Sequence, residues 1–207
     1  MVILKRGSTG EVVRQIQKAL HLKDDGIFGK LTEEAVRVFQ SENGLTPDGI
    51  VGAKTIALLI PCRFKKSKRK IDKIIVHCSD TEEGKNFTAE DIRLWHMLPP
   101  PRGNGWSDIG YHYVIKLDGT IQNGRDVDII GSHCKGWNTH SIGICYVGGR
   151  GKDGKTKDTR TEKQKAALLC LLMDLKKLYP EAEIMGHRDL SSKECPCFDA
   201  RNEYRNL

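Results

Sequence analysis

The stretch Gly186–Cys197, GHRDLSSKECPC, gathers an imidazole, an amine and two thiols within twelve residues. Neutral imidazole and thiolate are soft ligands of the kind zinc takes. Cys195 follows His187 by eight residues, and a loop of that length can fold back to bring both side chains to one ion. His77 is a third candidate, because it ends the apolar run KIIVH as His187 ends AEIMGH. Two histidines and one thiolate leave a fourth position open, the pattern of catalytic rather than structural zinc. Spacing alone leaves two matters open: whether Cys195 or Cys197 is the ligand, and whether the histidines are simply packed. Lys193 is an odd neighbour for a metal unless it serves the reaction.

These side chains need a framework. KIIVH (73–77), SIGICYVGG and AEIMGH read as buried strands, being short, apolar and partly β-branched. YHYVIKLDGTIQNG alternates and breaks at Asp118–Gly119, a hairpin signal. Thr88 with Asp91, and Thr161 with Gln164, are cap pairs opening helices. The first helix runs through Trp95 and His96; the second carries Leu168, Leu171, Leu172, Leu175 and Leu178 on one face. Alternating strands and helices predict an α/β domain with a mixed central sheet and flanking helices. Cys78 is expected to point away from His77 and to be a core thiol, as are Cys145 and Cys170. The polar segment 149–160 is expected to be a mobile loop.

Upstream, the pattern D-G-I-x-G-x-x-T occurs at 25–32 and again at 48–55. Each copy reads as a tight turn feeding a helix, with Thr32 or Thr55 as cap. Ser8 and Glu11 form a further S-x-x-E cap, and Asn43–Gly44 should end the second helix. A small all-α domain of three helices follows. The predicted organisation is this domain over 1–61, a linker over 62–70, and the α/β domain over 71–207. Six positive and no negative charges lie in 62–70, which accounts for nearly all of the net +7. The segment reads as a solvated, self-repelling tether. No aromatic-rich or recognised module accompanies it, so no nucleic-acid partner is expected. No apolar run approaches a membrane span. The first residues lack the pattern of a secretory signal, so synthesis in the cytoplasm and release by another route are expected. Seven cysteines without such a signal suggest burial or metal binding rather than a disulfide framework. A monomer is the default.

Residues 3–60 resemble the three-helix peptidoglycan-binding domain of bacterial and phage wall hydrolases, through LKRGSTGEVVRQIQKAL, DGIFGKLTEEAVRVFQ and DGIVGAKTIALL. Residues 71–207 resemble zinc-dependent N-acetylmuramoyl-L-alanine amidases of the phage amidase-type lysozyme kind, which are related to animal peptidoglycan-recognition proteins. The carriers are IIVHCSDT, IRLWHMLPPPRGNGWSDIGYHYVIKLDGTIQNGRD, GSHCKGWNTHSIGICYVGG and GHRDLSSKECPCFD. The resemblance implies hydrolysis of the amide between muramic acid and L-alanine, by an endolysin or a wall-remodelling enzyme. It implies Zn2+ on His77, His187 and Cys195, with Tyr111 and Lys193 catalytic. It implies that His133, Trp137 and Asn138 line the substrate groove. Cys197 departs from the family, which usually has a small residue such as serine there. The alternative reading is a recognition protein that binds peptidoglycan without cutting it; Tyr111, Lys193 and Cys195 together argue against that.

Overall fold

The computed structural model describes residues 4–60 and 62–207. They form two compact units, one of the described residues up to Phe64 with Leu169–Leu178 and Tyr204–Leu207, the other of Lys65–Leu168 with Tyr179–Glu203.

The first unit contains α1 (Glu11–Ala19), α2 (Lys30–Glu42) and α3 (Ala53–Leu59). The sequence echo is a duplicated hydrogen-bond hub. The Gln17 amide donates to Asp25 Oδ1 (2.9 Å), Ile27 O (3.0 Å) and Thr32 Oγ1 (3.2 Å), and its oxygen accepts from Gly26 N (2.8 Å). Gln40 repeats this with Asp48 Oδ1 (2.9 Å), Ile50 O (2.9 Å), Thr55 Oγ1 (3.1 Å) and Gly49 N (2.9 Å). Gly26 and Gly49, with φ of 76° and 73°, supply the left-handed turn residue. Thr32 and Thr55 are therefore not the expected caps. They are buried inside their helices, which start at Gly29 and Gly52, and serve the glutamine instead. Ser8 likewise does not cap α1; its Oγ accepts from Lys5 N at 3.0 Å while Gly10 precedes the helix. Asn43 and Gly44 do end α2, Gly44 at φ 68°.

The second unit is built on a five-stranded sheet in the order β4-β3-β5-β1-β7. Its strands are β1 (Lys73–Cys78), β3 (Tyr113–Ile115), β4 (Ile121–Asn123), β5 (Ser141–Tyr146) and β7 (Glu183–Gly186). β2 (Thr81–Glu82) and β6 (Gly149–Arg150) form a separate parallel pair. The unit's helices are α4 (Ala89–Met97), α6 (Ala200–Glu203) and the start of α5 (Glu162–Leu178), which belongs to the first unit from Leu169 on. β1 runs parallel to both β5 and β7, and only β3–β4 is antiparallel, the hairpin through Gly119. Central parallel strands are covered on both faces, and β5 is buried at all six positions, which explains the unbroken apolar runs. Both cap pairs form: Thr88 Oγ1 accepts from Asp91 N, and Thr161 Oγ1 from Gln164 N. The buried Gln164 amide also donates to Ile115 O and Val147 O, satisfying carbonyls at and beyond the strand ends.

The tether expectation fails for the second half of the basic segment. Ser67 is buried, its Oγ donating to Val127 O at 2.7 Å. The Arg69 guanidinium donates to the carbonyls of Val127, Asn138, Thr139 and Ser141 at 2.8–3.2 Å. A fork of five donors finds carbonyl acceptors that charge counting does not reveal. Within the loop 149–160, Arg150 pairs with β2 and bridges to Thr156. Among the described residues, no helix is long and apolar enough to cross a membrane.

Replacing Gln40 by Ala strands the Gly49 amide and removes the donor to Thr55 Oγ1. The expected result is a loss of about 2 kcal/mol in the first unit, read as reduced hydrogen-exchange protection of Gly49 and Ile50 with unit two unchanged.

Candidate metal centre and active-site cleft

The register of the sheet makes the site. Val76 pairs with Gly186, the last residue of β7, so His77 and His187 emerge side by side at the ends of adjacent parallel strands. Their rings lie 4.6 Å apart. The loop after His187 returns Cys195, whose Sγ is 3.7 Å from His77 Nδ1. One ligand atom each from His77, His187 and Cys195 fall within 4.8 Å of one another, a group able to hold a metal ion. The Cys78 backbone N–H donates to Cys195 Sγ at 3.3 Å, fixing the direction of that side chain. Cys197 lies outside this group.

His133 stands behind the group. Its Nδ1 is 3.0 Å from His77 Nε2, and its Nε2 is 3.3 Å from Ser141 Oγ. The consistent assignment has His77 Nε2–H donating to His133, which leaves the His77 Nδ1 lone pair facing Cys195 and His187. Space for the His133 ring comes from Gly143 on β5, where a Cβ would meet it at 2.5 Å. Burial, then the neighbouring His133, His187 and Lys193, hold His77 well below the usual histidine range. Burial followed by His112 does the same to His133, and burial followed by Lys193 lowers His187. All three rings stay neutral, the form that binds a metal.

These residues open on a cleft of about 580 Å³. Tyr111, His133, His187, Lys193 and Cys195 line it, so five predicted residues meet in one place. His77 lies just beneath, 1% exposed, its ring 5.2 Å from Tyr111. Burial pushes the Tyr111 phenol well above its usual range, so it remains a hydrogen-bond donor. Trp137 and Asn138 are not among the lining residues. Asn138 Oδ1 instead accepts from the backbone amides of His133 and Cys134, both at 2.9 Å, and Trp137 packs under the Lys73 ammonium. They shape the His133 loop from behind rather than face the cleft.

Sequence reasoning missed His96, Asn104, Trp106, Ser132 and Arg150, which also line the cleft. Trp95 and His96 were grouped as helix residues, yet successive helical positions differ by about 100°. Trp95 turns to the core beside Phe87, and His96 turns to Trp106 and Tyr111. Cys78 corrects another expectation. β1 stops at this residue, and its thiol reaches the cleft and lies 3.7 Å from Cys197 Sγ. Hydrogen bonding with Cys195 and burial push the Cys78 thiol up to about 12. His112 faces away from Tyr111, buried between Gly143 N and Ile129 O.

Two histidines and a cysteine able to hold a metal ion at the mouth of a mixed sheet, with a helical domain before them in the chain, point to a class, and sequence comparison specifies it. Residues 67–198 match the N-acetylmuramoyl-L-alanine amidase model, and the chain belongs to that family. Residues 9–59 match the model of a putative peptidoglycan binding domain. The chain is a peptidoglycan-hydrolysing amidase with an N-terminal peptidoglycan-binding domain. It is 41% identical to the endolysin of Escherichia phage T7 over 136 residues, 66% of this chain and 87% of that one. It is 34% identical to peptidoglycan-recognition protein SC2 of Drosophila melanogaster over 119 residues, 56% of this chain and 60% of that one. Among solved structures it is similar to N-acetylmuramoyl-L-alanine amidase LysC from Clostridium intestinale, with TM-score 0.53, 29% identity, and coverage of 65% of this chain and 82% of that one.

The buried histidines set a pH dependence. Burial lowers His112 to about 4. Below pH ~6.5 the unfolded chain gains a proton there that the folded chain refuses, so stability falls from pH ~6.5 to ~4. In urea unfolding at pH 7 and 4.5, with metal state held equal, His112→Gln should narrow the stability gap by about 2 kcal/mol.

Proposed function

We propose that the chain is a zinc amidase of the endolysin type, in which His77, His187 and Cys195 hold the ion and Tyr111 and Lys193 act on the substrate. The observation that carries this is the ligand trio itself. A tetrahedral zinc with bonds of about 2.0 Å to nitrogen and 2.3 Å to sulfur separates those atoms by about 3.5 Å, and Cys195 Sγ to His77 Nδ1 is 3.7 Å. Two nitrogens and one thiolate suit zinc better than hard cations. Bound there, zinc supplies a Lewis acid for the scissile carbonyl and activates water.

The chain's own residues do the rest. His133 fixes the tautomer and ring plane of His77 through the 3.0 Å contact. Lys193, at the rim beside Cys195, places a positive charge where the carbonyl oxygen becomes an oxyanion. The protonated Tyr111 phenol donates a hydrogen bond toward the same oxygen. The buried His77 end of the cleft limits water at the reacting bond, while the open end admits a polymer. Residues 1–61 act as the wall-binding module, raising the local concentration of the catalytic unit on an insoluble substrate. On this reading the enzyme is made in the cytoplasm, crosses the membrane by a route supplied by another protein, and works as a monomer.

The test is release of new N-terminal alanine from purified peptidoglycan, together with metal analysis. One zinc per chain and amine release without reducing sugars are expected. His187→Ala should lose both metal and activity. Lys193→Ala and Tyr111→Phe should keep zinc while kcat falls about 100-fold or more. His133→Ala should weaken zinc affinity about 10- to 100-fold in chelator competition. Wall binding with zinc present and no amine released would sink the enzyme reading.

A further inference from the structure

Cys197 is the residue of the GHRDLSSKECPC stretch that the amidase reading leaves without a task. Its thiol lies outside the ligand trio. It is instead 3.7 Å from Cys78 Sγ, and both thiols are free. Cys197 is half-buried at the cleft wall with φ of 68°, a left-handed conformation unusual for a side-chain-bearing residue. Its turn is held by backbone contacts: Cys197 N donates to Glu194 O at 2.7 Å, and Arg188 N donates to Cys195 O at 2.6 Å. Cys197 Sγ also donates to Gly149 O at 3.3 Å. Gly149 leaves the room the two sulfurs occupy, since a Cβ there would meet Cys78 Sγ at 2.6 Å.

We propose that Cys78 and Cys197 are an oxidisable pair, which forms a disulfide once the chain meets an oxidising environment. A disulfide needs its sulfurs about 2.05 Å apart, so the pair must close by about 1.7 Å. Side-chain rotation with small backbone shifts accomplishes this, because the two residues are already in contact. The oxidant is a small-molecule disulfide. The sulfur of Cys197, the more exposed of the two, attacks one oxidant sulfur, giving a mixed disulfide, and its proton leaves with the thiol released. The Cys78 sulfur then attacks the Cys197 sulfur, closing the protein disulfide, and its proton leaves with the second thiol released. Two protein thiols are oxidised and one small disulfide is reduced to two thiols. Peptidoglycan lies outside the cytoplasmic membrane, where disulfides persist, whereas thiols stay reduced in the cytoplasm where the chain is translated.

The bond would join the end of β1, one residue from His77, to the turn that carries Cys195. It would staple the two parts of the ligand trio to each other without using a ligand. The reduced chain would have the trio held by packing alone; the oxidised chain would have it held covalently. The loop closed is long, spanning residues 78–197, which favours a large stabilising effect on the folded state.

The test uses the purified full-length chain, incubated with oxidised glutathione and digested without reduction. A peptide linking Cys78 to Cys197 is expected by mass spectrometry, and it should disappear with dithiothreitol. The oxidised chain should melt about 5–10 °C higher than the reduced chain. It should release zinc to a chelator at least severalfold more slowly. Cys197→Ser should abolish all three differences while binding zinc as the reduced parent does. Linkage of Cys195 to either thiol, or loss of zinc on oxidation, would overturn the proposal. So would full alkylation of both Cys78 and Cys197 after the incubation. The mapping of the link does not depend on catalysis, so its outcome and that of the amine-release assay are separable.

Discussion

A neutral imidazole buried at the end of a parallel sheet is the constraint around which the catalytic unit is arranged. His77 is almost inaccessible, and burial strongly disfavours its charged form. A buried ring of this kind needs a partner for each nitrogen. On one side that partner is His133, backed by Ser141 and accommodated by Gly143. The other side is left facing Cys195 and His187. Arg69 secures the surrounding backbone by donating to the carbonyls of Asn138, Thr139 and Ser141, so a residue far from the chemistry supports the loop that ends in the ligand's partner. The sheet order is what allows this: β1 lies between β5 and β7, so one neighbour supplies the clearance for His133 and the other delivers His187.

The first unit solves a different problem. A short three-helix fold has little apolar core, and it compensates with polar hubs whose donors and acceptors are nearly all used. Gln17 and Gln40 each tie a turn to the helix before it and the helix after it. The duplication is thus physical as well as textual: the same residue types repeat because the same turn must be closed twice. Such a unit can present an exposed surface to an insoluble polymer while its interior stays fixed.

Three thiols around one cleft illustrate how placement divides chemically identical groups. Cys195 receives a backbone N–H and faces two neutral histidines. Cys78 is buried, with its proton held tightly. Cys197 is turned aside by its left-handed backbone and meets Cys78 rather than the metal group. The CPC spacing alone would place either cysteine near the histidines; the left-handed turn at residue 197 puts only Cys195 in the His77–His187 group.

The local elements were legible in the sequence because their causes are local. Unbroken apolar runs, cap pairs such as Thr88–Asp91, and the Asp118–Gly119 turn act over a few residues, so the strands, helices and hairpin follow from pattern. His77, His187, Cys195 and Tyr111 were nameable residue by residue from type and family resemblance, while their convergence at one cleft depends on the sheet register. Other features depend on contacts between distant segments. Thr32 and Thr55 have the chemistry of caps, but a glutamine fifteen residues earlier engages each of them. Arg69 looks like tether charge until the carbonyls of a loop some seventy residues on surround it. Trp137 and Asn138 share a motif with His133, yet only His133 turns inward, because Asn138 is occupied with the backbone of its own loop. The sequence by itself determined which groups could do the chemistry and which short segments carry them. Only the tertiary structure decided which way each side chain faces, since that depends on strand register and on partners far away in the chain.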